Sequence, residues 1–200
     1  MVNCIIQDSK DSKFQGFQES QRLESEILNF EILEIWNNLF LMEKIWQILE
    51  EVCDPEVPVL SVLDLGIIRH VEQVEGKIII TITPTYSGCP AMNTIEKDIK
   101  TALLQAGFDN IEIKTILSPA WTTDWLSENG KRKLEAYGIA PPVEPTSSVG
   151  ILFGKDPSVS CPQCHSKNTI MVSQFGSTAC KALYKCQDCL EPFDYFKCLR

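Results

Sequence analysis

Apolar residues recur at helical spacing between Leu23 and Val52, where Leu28, Ile32, Ile35, Leu39, Met42, Trp46 and Leu49 make one stripe. That period predicts one long helix or a helical hairpin. Asp54-Pro55 ends it, because the residue before a proline is pushed out of the helical region. The pattern then shifts to period two. Gly66–Val74 and Lys77–Thr83 read as strands joined by a tight turn at Glu75-Gly76. Ile78, Ile80 and Ile82 share one face of the second strand, with Ile79, Thr81 and Thr83 on the other. Helical spacing returns from Pro90 to Ala106, with Met92, Ile95, Ile99, Leu103 and Ala106 on the inward side. Pro90 suits the first helical position and Gly107 the position just past the end. Ile111–Leu117 is a third strand, reached by a helical crossover, and Asp124 is placed to cap a last helix through about Tyr137, stopped by Gly138.

These elements predict an α+β fold: a small mixed sheet of about three strands packed by helices, in the order helix-strand-strand-helix-strand-helix. Residues 1–40 form an N-terminal extension, polar and irregular through residue 22 and partly helical or disordered, and residues 41–140 form the α/β domain. Pro141, Pro142 and Pro145, followed by Thr146, Ser147 and Ser148, cannot build a core, so residues 141–157 read as a linker. Residues 158–200 are a separate β module.

That module is defined by cysteine. Six of the nine cysteines lie in the last forty residues, and four form two Cys-x-x-Cys pairs, Cys161/Cys164 and Cys186/Cys189, with 21 residues between them. Two knuckles each offering two thiolates make a tetrahedral sulfur cage suited to zinc. A tail this short has too little core to fold alone, so metal binding supplies folding free energy. Cys180 and Cys198 exceed what one zinc requires. They are either free structural thiols, the favoured reading, or a second redox-active or metal-accepting site. His165 follows the first knuckle, where glycine often supplies positive φ. Phe193, Tyr195 and Phe196 alternate with polar residues and are expected to pack the ribbon or a partner surface.

Charge and composition narrow the function. A net charge of −9 argues against a general nucleic-acid binder, which needs a basic surface. Glu31, Glu34, Glu43 and Glu50 interrupt the most apolar stretch, which removes a membrane span. No export signal is recognisable, so the expected compartment is the cytosol, with reduced cysteines available for metal.

Outside the ribbon, Cys89 is the sharpest candidate. It sits in Thr83-Pro84-Thr85-Tyr86-Ser87-Gly88-Cys89-Pro90, just before the second helix. A thiol there meets unpaired backbone N–H groups and the positive end of the helix dipole, which favour thiolate. Such a thiolate could ligate iron transiently, accept a cluster or act as a nucleophile; the alternative is a small buried hydrophobe at a turn. With only His70 and His165 in the chain, a Cys-His hydrolase is disfavoured. Asp54, Glu56 and Asp64 could line a metal or partner site, although solvated turn carboxylates are the favoured account. Cys4 and Cys53 have no partners at ligand spacing.

Asp54-Pro55-Glu56-x-Pro58, Asp64-Leu65-Gly66-Ile67 and the Thr83–Pro90 string resemble the SufT/MIP-type family of iron–sulfur cluster assembly domains, over about Leu41 to Ile139. Ser118-Pro119-Ala120-Trp121-Thr122-Thr123-Asp124-Trp125, the run from Phe175 to Cys186 and the ending Glu191–Cys198 resemble, more specifically, the PaaD family of phenylacetate degradation, which adds a zinc-ribbon tail to this domain. The resemblance implies a cytosolic bacterial protein serving the phenylacetyl-CoA ring-1,2-epoxidase system, a multicomponent oxygenase with a di-iron catalytic subunit and a flavin plus iron–sulfur reductase. It implies an accessory role, maturation of the iron–sulfur or iron centre, without catalysis of its own. The family's recurrent cysteine falls on Cys89, which makes Cys89 a transient iron or cluster ligand beside Asp54 and Glu56, with the epoxidase reductase or another epoxidase subunit as partner and self-association as a homodimer left open. The alternatives are a stoichiometric subunit or electron-transfer component of the epoxidase, motivated by the six-thiol tail, and a thiol oxidoreductase using a Cys-x-x-Cys pair. Residues 1–40 lie outside the resemblance.

Overall fold

The computed structural model describes residues 35–143 and 158–197. The expected extension through residue 34, most of the expected linker, Cys4 and Cys198 lie outside the described residues. Residues Met1–Lys44 and Ile45–Arg200 form two compact units. In the first, residues 35–44 are helical and expose Ile35, Trp36, Leu39 and Phe40.

The second unit opens with the end of the same helix, α1, which covers residues 35–51. Of the expected stripe, Leu49 is buried and Met42 half-buried, but Ile45 takes the inward place expected of Trp46. Ile45 and Leu49 are fully buried and Val52 follows, whereas Trp46 is exposed. Ile45 and Leu49 are four apart and lie on one face, and Trp46 sits about 100° round the helix from Ile45. The chain then loops tightly from Asp54 to Leu60, closed by the Asp54 N–H donating to the Leu60 carbonyl at 2.9 Å and by a bridge between Cys53 and Ser61.

The first sheet has the order β1-β2-β3, with β1 at Ile68–Val74, β2 at Lys77–Ile82 and β3 at Ile111–Thr115. β1 and β2 pair antiparallel through Glu75 (φ 51) and Gly76 (φ 76), the double positive φ of a tight hairpin turn. β2 and β3 pair parallel, joined through helix α2, Ala91–Gln105, whose Met92, Ile95, Ile99 and Leu103 are buried. β2 is the central strand and carries Ile78, Ile79, Ile80 and Ile82, all buried, as a strand covered on both faces should. The expected small mixed sheet is present.

The last helix is shorter than expected and differently capped. Thr123–Trp125 is a single 3-10 turn, and α3 covers Glu128–Tyr137. Ser127, not Asp124, is the cap: its Oγ accepts from the Gly130 N–H at 2.8 Å. Gly138 closes α3 at φ 92.

Directly after α3 the chain forms β4, Ile139–Ala140, which pairs parallel with the last ribbon strand. The second sheet therefore has the order β4-β7-β6-β5, with β5 at Thr169–Ser173, β6 at Lys181–Cys186 and β7 at Pro192–Phe196. Phe193 and Tyr195 face the ribbon core against Tyr184, with centroids 5.9 Å and 5.5 Å away. Phe196 points to the other side and meets Trp121 edge-on at 6.3 Å. Trp121 in turn donates to the Leu65 carbonyl at 2.8 Å. The aromatic run thus packs the ribbon with two rings and seats it on the α/β domain with the third.

Candidate metal centres

The two knuckles converge. Single ligand atoms of Cys161, Cys164, Cys186 and Cys189 lie within 4.8 Å of one another. The cross-knuckle sulfur pairs, Cys161–Cys189 and Cys164–Cys186, are 3.7 Å and 3.6 Å apart. A tetrahedron with Zn–S bonds of about 2.3 Å has edges of about 3.8 Å, which the two cross-knuckle pairs match. His165 at φ 58 and Leu190 at φ 66 each follow the second cysteine of a knuckle in left-handed backbone, the position where glycine is common. The Cys189 N–H donates to the Cys186 sulfur at 3.5 Å. Backbone N–H groups of Cys189 and then Asp188 help hold the Cys186 thiol down at about 7. Ser166 and Asn168 both donate to Asp188, which ties the base of one knuckle to the other. His165 is turned to Glu135, 3.4 Å away, and is not a ligand.

The acidic turn residues are not solvated carboxylates, which corrects the favoured expectation. Asp54 is buried, and its Oδ1 accepts from the N–H groups of Glu56 at 2.6 Å and Val57 at 3.0 Å. Burial outweighs those bonds and raises its pKa. Asp64 is also buried. It accepts from Lys133 Nζ at 2.5 Å, Ser127 Oγ at 2.6 Å and Asn129 Nδ2 at 3.2 Å. Burial works to raise the Asp64 pKa, but these hydrogen bonds together leave it below the ordinary carboxylate value. Asp54 shapes the loop and Asp64 pins α3. Only Glu56 is left on the half-buried surface.

Cys89 is half-buried before α2. The Ala91 backbone and the Thr85 side chain work to lower its pKa, as a helix N-terminus predicts. The expected net activation to thiolate does not follow: burial is the largest effect, and the Glu56 and Asp54 carboxylates add to it, so the thiol pKa is raised.

Cys180, for which a free structural thiol is the favoured expectation, is a free cysteine. It precedes β6, is buried, and its sulfur lies 3.7 Å from Glu56 Oε2 and 3.0 Å from Thr178 Oγ1. The neighbouring Lys181 Nζ donates to the Glu56 carbonyl at 3.3 Å. The ribbon thereby places a fifth cysteine on the acidic turn of the α/β domain. Its only sequence signal is a cysteine outside the ligand spacing.

Comparison with known proteins matches both halves of this arrangement. The family model described as "PaaD zinc beta ribbon domain" matches residues 145–197, and that described as "Iron-sulfur cluster assembly protein" matches residues 42–114. A protein of Escherichia coli (strain K12), named as a putative subunit of 1,2-phenylacetyl-CoA epoxidase, is 45% identical over 158 residues, covering 79% of this chain and 93% of the relative. The chain belongs to the PaaD family. Further relatives match about half of the chain. A "Fe-S protein maturation auxiliary factor" of Porphyromonas gingivalis (strain ATCC BAA-308 / W83) is 35% identical over 102 residues, 49% of this chain and 96% of the relative. The crystal structure of a domain of unknown function from Bacillus anthracis is 28% identical, with a TM-score of 0.47, covering 50% of this chain and 96% of that one. The PaaD ribbon and its four-cysteine cage supply the zinc site. Among the described residues, no helix is long and apolar enough to cross a membrane.

Proposed function

We propose that this protein is a maturation factor that delivers iron, or an iron–sulfur cluster, to the phenylacetyl-CoA ring-1,2-epoxidase, with Cys89 as the transient ligand and the zinc ribbon helping to seat the client. The observation that carries the reading is the state of Cys89. It is a half-open thiol at the start of α2, inside the iron–sulfur assembly half, with a raised pKa. Iron is cargo here. When iron approaches, the thiol proton is displaced and the thiolate bonds to the metal; when the proton returns, the bond weakens and the cargo can pass to another ligand. The likeness to the epoxidase component over most of the chain supports the epoxidase as client, and the likeness to maturation factors supports transfer over turnover.

The test is coexpression of the epoxidase components with wild type or with Cys89→Ala, reading iron and labile sulfide in the purified reductase component. The variant is expected to leave the reductase under-filled. Full cluster occupancy and full epoxidase activity with Cys89→Ala would remove the proposal.

A further inference from the structure

The opening turns of α1 present large apolar side chains to water. Ile35, Trp36, Leu39 and Phe40 are 66%, 66%, 62% and 71% exposed. Their spacing of i, i+1, i+4 and i+5 puts all four on one side of the helix, while Asn37 and Asn38 fall on the other. No residue from Ile35 to Met42 is charged. An apolar helical stripe of this kind is stable in water only when something covers it. Ile35 to Phe40 also precede the segments that the two family models match, residues 42–114 and 145–197. The chemistry shared by the assembly domain and by the ribbon therefore does not account for the stripe.

We propose that a second copy of this chain covers the stripe, the two helices pairing antiparallel about a two-fold axis so that each Trp36 lies against the Phe40 of the other copy. The area is sufficient. With about two-thirds of each side chain exposed, the four residues leave on the order of 500 Å² of apolar surface per copy. Two facing copies then bury about 1,000 Å², the lower edge of a specific protein interface. The charge pattern agrees, because a stretch without charged residues meets its own copy without burying a charge or setting like charges together. A membrane surface fits less well. A helix lying in that interface carries Lys and Arg on its polar side, and here that side holds Asn37 and Asn38. Each copy brings a net charge of −9, so the apolar contact forms against mutual repulsion and salt should strengthen it. The pairing needs nothing from Cys89 and stands apart from the cargo reading.

The experiment is sedimentation velocity on the full-length, zinc-loaded protein, from low-micromolar to hundred-micromolar concentration. Wild type should pass reversibly from monomer to dimer, at a midpoint that falls as salt is raised. Trp36→Ala combined with Phe40→Ala should raise the midpoint at least tenfold, with zinc content and circular dichroism unchanged. Ile170→Ser alters an exposed apolar residue of the ribbon and should leave the midpoint where it is. Wild type that stays monomeric throughout overturns the proposal, even if the stripe then proves to bind an epoxidase component or a lipid vesicle. A dimer that the double variant leaves intact, that Ile170→Ser weakens equally, or that salt dissolves also overturns it. Should the double variant lose helix or zinc, Leu39→Ser decides: a midpoint raised at least threefold supports the pairing, and an unchanged midpoint overturns it.

Discussion

Cys180 Sγ lies 3.7 Å from Glu56 Oε2, across 124 residues of sequence. That contact ties the ribbon to the acidic turn of the α/β domain, and it depends on a folded zinc module. Removing zinc with a strong chelator should therefore free more than the four ligand thiols. Cys180, buried in the holo protein, should become open to alkylation, and amides of Lys181–Cys186 should lose hydrogen-exchange protection. Alkylation mapped by mass spectrometry checks this. Equal Cys180 labelling before and after chelation would show that the ribbon does not hold it in place.

Asp64 should be a stability residue, separable from metal binding. Asp64→Asn removes a buried charge that receives Lys133, Ser127 and Asn129, and should cost about 2–4 kcal/mol in denaturant unfolding. Its depressed pKa fixes the sign with pH. The stabilisation is complete above the ordinary carboxylate value and drains away as pH falls through the lower native value, so the gap between wild type and variant should narrow in acid. A gap that is constant from neutral pH into acid would contradict the assignment.

Gly66 should tolerate no side chain. At φ 65, a Cβ there would sit 2.1 Å from the Trp125 carbonyl oxygen, whereas one at Gly107, also at positive φ, would meet nothing within 4 Å. Gly66→Ala should destabilise on the order of 2–4 kcal/mol, and Gly107→Ala by about 1 kcal/mol. Equal thermal shifts for the two would mean that the approach to Trp125 is not a real constraint.

What the residues reveal on their own is what is local. The two Cys-x-x-Cys knuckles, the Glu75-Gly76 hairpin and helix α2 depend on spacings of a few residues, and each lies where spacing puts it. The buried face of α1 is ambiguous in sequence because Trp36, Phe40, Ile45 and Trp46 make more than one apolar face, and only tertiary packing selects Ile45 and Leu49. Asp64 reads as solvated because its partners arrive 63 to 69 residues later. Asp124 looks like the cap, but Ser127 wins because Asp64 holds it in position. The likeness to iron–sulfur assembly domains points to Cys89, while its protonation state depends on burial and on Glu56, neither of which a local motif encodes. Cys180 is the extreme case: nothing near it in sequence announces Glu56.

The most direct test of the central claim is transfer in a defined mixture. Zinc-loaded protein, reconstituted anaerobically with iron and sulfide, is mixed with apo-reductase, and cluster arrival is followed by circular dichroism in the visible range. Wild type should fill the reductase at least tenfold faster than Cys89→Ser, whose hydroxyl is a far poorer iron ligand. Equal rates for the two proteins, each no faster than iron and sulfide supplied free, would contradict the account.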